Sequence, residues 1–96
     1  MPVETTYQKS DFVGTFIVGA PAQSAMDNAG GLRAAEMYDV MMQYRDGGGN
    51  IPSSVADRQG TFTIPDIAAV DKILVAGTTR GHEFLSAMVE NSVEPL

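Results

Sequence analysis

Apolar positions recur along this chain at two different periods. Residues 12–18, Phe-Val-Gly-Thr-Phe-Ile-Val, are dense in β-branched and aromatic side chains, the composition of a pleated, half-buried strand. Gly19-Ala20-Pro21 then stops the run. Phe12 and Phe16 are also four apart, so a short helix capped by Ser10 is an alternative. Residues 61–64 alternate polar and apolar and predict a second short strand.

The other period is helical. Ala34, Met37, Tyr38, Met41 and Tyr44 recur at three- and four-residue spacing and predict a helix over 32–45, with Glu36, Asp39 and Gln43 on its opposite face. Glycines 47–49 end it. Phe84, Leu85, Met88 and Val89 make a second stripe and predict a helix over 80–91, which Thr79 is placed to cap. Residues 21–28 have room for one or two helical turns, with Pro21 in the first turn where it is tolerated. Thr63-x-x-Asp66 resembles a capping box ahead of Ile67, Val70 and Leu74 at helical spacing. Yet Ile73-Leu74-Val75-Ala76 suits a buried strand equally well, and both assignments stay open. Residues 46–60 read as one long loop and 1–9, polar apart from Val3 and Tyr7, as an N-terminal arm or a short edge strand.

These elements predict a small α+β domain spanning 1–96, with a few short strands covered by two or three helices. A mainly α-helical domain is the runner-up. No internal repeat stands out. The length fits a single core, with net stability of ~5–10 kcal/mol.

Charge narrows the function more than composition does. Twelve acids face six bases, for a formal net charge of −6, and no two of Lys9, Arg33, Arg45, Arg58, Lys72 and Arg80 are neighbours. Phosphate backbones and anionic lipids require clustered cations, so direct binding to nucleic acid or membrane is not expected. Without cysteine, thiolate, disulfide and iron–sulfur chemistry are excluded. With one histidine, zinc and haem sites are not expected either. No signal peptide or membrane span is apparent, which makes the cytoplasm the default location.

Two candidate sites remain. The first is Thr78, Thr79, Arg80, Gly81 and His82. If residues 73–76 are a strand, these form a glycine-bounded loop entering a helix, an arrangement that can bind an anion or phosphate ligand. The second is a contact patch on the 32–45 helix: Tyr38, Met41, Met42 and Tyr44. Aromatic and methionine side chains are enriched where proteins meet, provided that they are exposed. Asp46 and Asn50 supply too few oxygens for a calcium loop. With no catalytic constellation and no cofactor expected, the leading expectation is a non-enzymatic interaction or assembly subunit. A structural subunit of a virus particle or a small inhibitor of a larger complex would be examples. The alternative is a small anion binder or enzyme using residues 77–82.

Overall fold

A computed structural model of the chain describes residues 6–47 and 58–92. Most of the 46–60 loop, with Asn50, and the start of the N-terminal arm lie outside these. The described residues form an α+β domain, as the periodicities predict. In order come β1 (Gly14–Val18), α1 (Ala20–Gly30), α2 (Ala34–Met41), β2 (Gly60–Ile64), α3 (Ile67–Gly77) and α4 (Gly81–Asn91). Short 3-10 turns occupy Lys9–Phe12, Gly31–Arg33, Met42–Tyr44 and Thr78–Arg80. No helix among the described residues is long and apolar enough to cross a membrane.

β1 and β2 pair antiparallel, with Phe16 opposite Phe62 at the centre. Phe62 and Ile64 turn inward beneath the helices, and exposed Thr63 turns outward, the period-2 pattern of a half-buried strand. Each strand opens on a glycine at positive φ, Gly14 at 142° and Gly60 at 145°, a conformation that a side chain would strain. The core joins the α2 stripe (Met37, Tyr38, Met41) to Phe84, Leu85 and Met88 of α4, with Met26, Val70 and Ile73 between them.

Several expectations are corrected. Phe12 closes a 3-10 turn instead of starting β1; it is fully buried against His82 and Tyr7. Residues 73–76 are helical. Asp66 caps α3, its side chain accepting the Ala69 amide at 2.9 Å, while Thr63 lies inside β2. A helix suits the run because Ala69, Val70, Ile73 and Gly77 then share one inward stripe. Thr79 does not cap α4: it lies within the 3-10 turn, and α4 starts at Gly81 with no side-chain cap. α1 runs a full eleven residues, three turns where one or two are predicted.

The order of elements also exposes an internal repeat, strand–helix–3-10 turn–helix, occurring twice. Gly14-Thr15-Phe16 matches Gly60-Thr61-Phe62, and Ala29-Gly30-x-x-Arg33-x-x-Glu36 matches Ala76-Gly77-x-x-Arg80-x-x-Glu83. Both corners turn alike, with Gly31 at φ 56° and Thr78 at φ 52°. An approximate two-fold relates the halves: it exchanges Phe16 with Phe62 in the ribbon, and the α1–α4 pair with the α3–α2 pair. Neither half has enough apolar partners alone, so stacking the two closes one core.

Candidate functional site

The predicted contact patch is not a surface. Tyr38 and Met41 are fully buried and Met42 is 3% exposed; only Tyr44 is half-buried at the edge. The stripe is wider than its centre line suggests, because α2 is covered by α3 and Tyr38 is further enclosed by Phe84 and Arg58. Tyr38 stacks edge-on against Phe84, with centroids 5.1 Å apart, and the Arg58 guanidinium lies 4.9 Å above its ring. Arg58 pairs with Asp27 at 3.0 Å, and the Gln59 amide donates to Gln23 at 3.0 Å. This polar clasp fastens the approach to β2 onto α1, a structural task.

The Tyr38 hydroxyl points at the Met26 sulfur, a weak acceptor, at 3.6 Å. Burial, reinforced by the Asp27 carboxylate and opposed by Arg58, raises its pKa well above the ordinary 10.0. A raised folded-state pKa contributes stability that is whole below pH 10.0 and is lost above it, where only the unfolded chain releases the proton. The expected slope from this group is ~1.4 kcal/mol per pH unit. Urea midpoints at about pH 9 and 11 should therefore fall further for the wild type than for Tyr38→Phe. Parallel declines in the two proteins would contradict the assignment.

The predicted anion loop loses its premise, since a helix and not a strand precedes it. Thr78, Thr79, Arg80 and His82 are exposed and Gly81 is buried. Arg80 is turned to Glu83 at 3.3 Å. His82 Nε2 lies 2.9 Å from the Tyr7 carbonyl, which can only accept, so Nε2 carries the proton. Arg80 and His82 are thus both engaged with the protein itself.

What the sequence pattern did not single out is a groove between α2 and α3. It encloses about 500 Å³ and is lined by Val40, Gln43, Asp71, Lys72, Val75 and Ala76. α3 is apolar almost all round, with Asp71 and Lys72 its only charged residues, a composition normally reserved for helices with no wet face. Val75 is nevertheless 77% exposed and Ile67 40%, and Leu32, in the turn that meets the Thr78–Arg80 turn after α3, is 99% exposed. Asp71 is held by Lys9 at 2.7 Å. The repeat makes the contrast specific. The matching pair, α1 on α4, packs more closely, and the position matching Val75 is the exposed, polar Asn28. The all-apolar run was the signal in the sequence, but it could not say which side stays open.

Comparison with known proteins finds no matching family model, no matching curated protein and no matching solved structure, so the groove is interpreted from its own geometry.

Proposed function

We propose that this chain is a non-enzymatic interaction subunit that receives an apolar segment of another protein in the α2–α3 groove. A structural subunit of an assembly such as a virus particle, or a small inhibitor of a larger complex, would work this way. One observation carries the proposal: α3 keeps Val75 and Ile67 in water while its counterpart α1 places a polar residue at the Val75 position. Exposed apolar clusters rimmed by polar groups mark places where proteins meet. Gln43 and Lys72 provide that rim here. Covering a valine side chain contributes ~1.5–3 kcal/mol, enough for tenfold or more in affinity.

Val75→Glu isolates this surface. The side chain is mostly solvated, so folding stability should move by no more than ~0.5 kcal/mol. Association with the partner should weaken at least ~10-fold. Light scattering after size exclusion, on the protein alone and with each co-purified candidate, compares wild type and variant. Identical association by both proteins, or none by either, would remove the proposal.

A further inference from the structure

The two outer edges of the ribbon are treated differently. Beyond β2, Arg45 forms an isolated antiparallel bridge with Phe62, and the Asp46 amide donates to the Thr61 carbonyl at 2.7 Å. Opposed residues in antiparallel pairs alternate between hydrogen-bonded and non-hydrogen-bonded. Because the bond runs from Asp46 to Thr61, the Arg45–Phe62 pair is the non-bonded kind. Thr61 and Thr63 therefore aim their backbone groups at the 45–46 segment, and Gly60, Phe62 and Ile64 aim theirs at β1. Through the observed register, Gly14, Phe16 and Val18 bond to β2. The N–H and C=O groups of Thr15 and Ile17 must then point outward, on the far edge of β1. Among the described residues no hydrogen-bond partner meets these four groups.

An open edge with alternate donors and acceptors is a template for another extended strand. We infer that β1 pairs antiparallel with β1 of a second copy of this chain, giving a four-stranded sheet ordered β2-β1-β1-β2. The parity selects the register. With a two-fold axis at Phe16, Thr15 of one copy faces Ile17 of the other, twice, in the hydrogen-bonded positions. All four outward groups of each copy are then used. Centring the axis on Thr15 or Ile17 leaves some of them unmet.

Side chains agree with this register. No charged residue occurs from Phe12 to Met26, so no like charges meet across the axis. Thr15 lies beside a β-branched Ile17, and the half-buried Phe16 lies beside its own copy, both favourable cross-strand pairs. The chain already joins its two halves through a two-fold ribbon of this composition. This surface is separate from the α2–α3 groove and does not depend on it.

Amide exchange by NMR at about 20 μM and 1 mM, bracketing a weak dimer, tests the pairing. The Thr15 and Ile17 amides should slow by at least ~10-fold at the higher concentration, while the Phe16 amide, already bonded to β2, should not change. The double variant T15K/I17K sets lysines opposite each other across the axis and should abolish the concentration dependence, with Phe16 protection reporting that the fold persists. Fast exchange of both amides at every concentration would overturn the inference. So would equal protection at the lowest concentration in a sample that light scattering shows to be monomeric there, which means closure within one chain, or a dimer that leaves them unprotected. Should the double variant fail to fold, the wild-type exchange pattern alone still decides. Failure here leaves the Val75 experiment untouched, and the reverse also holds.

Discussion

Tyr38→Ala is expected to lower unfolding free energy by ~3–5 kcal/mol, the range for deleting a fully buried aromatic ring. A chain of this length holds only ~5–10 kcal/mol, so the variant should be largely unfolded by modest heating or low urea. Three contacts disappear with the ring: the edge-on packing against Phe84, the Arg58 guanidinium above its face, and the contact with Met26. Losing the ring also leaves Arg58, only 12% exposed at its side chain, covering a void. Tyr38→Phe keeps the ring and should cost no more than ~1 kcal/mol, since thioether sulfur is a poor acceptor. Equilibrium urea unfolding of the three proteins checks the order. If Tyr38→Ala changed binding but left stability within ~1 kcal/mol, Tyr38 would be a contact residue after all and the buried placement wrong.

Local pattern made most of the fold legible. The α2 and α4 stripes, with Glu36, Asp39 and Gln43 on the wet side, follow from spacing alone, as does the inward turn of Phe62 and Ile64. What stayed hidden depends on partners distant in sequence. Residues 73–76 are β-branched enough for a strand, and only the Asp66 cap and the helices receiving Val70 and Ile73 decide against it. Tyr38 and Met42 could have been inside or outside, because a stripe says which face is apolar but not how far neighbours wrap around it. The repeat was masked because its two matching blocks stand at offsets differing by one residue, and few positions outside them agree. The groove and the open β1 edge were illegible for a related reason. Each is a defect in an otherwise satisfied pattern, visible only once the matching half shows how the same element is closed.

Gly81→Ala should cost ~1–3 kcal/mol, although alanine is ordinarily the better helix residue. A methyl group there would stand 2.8 Å from the Leu74 Cα and 2.9 Å from the Leu74 carbonyl oxygen. Both are main-chain atoms, so no rotamer change relieves the overlap, and α3 and α4 must separate. As the first residue of α4, Gly81 gains little helix propensity to set against this. The repeat supplies the control, for the position matching Gly81 is Ala34, whose methyl is accommodated in a buried site. Exchange of the two residues is therefore not symmetric. Ala34→Gly should lose ~1 kcal/mol through the buried methyl it removes, with the helices left in place. Gly81→Ala should instead shift chemical shifts along both α3 and α4 and lower the melting temperature by more than Ala34→Gly does. A stabilised Gly81→Ala protein would mean that the α3–α4 corner is more open than the close approach of Gly81 to Leu74 implies, and with it the packing that fixes the exposed face of α3 would have to be redrawn.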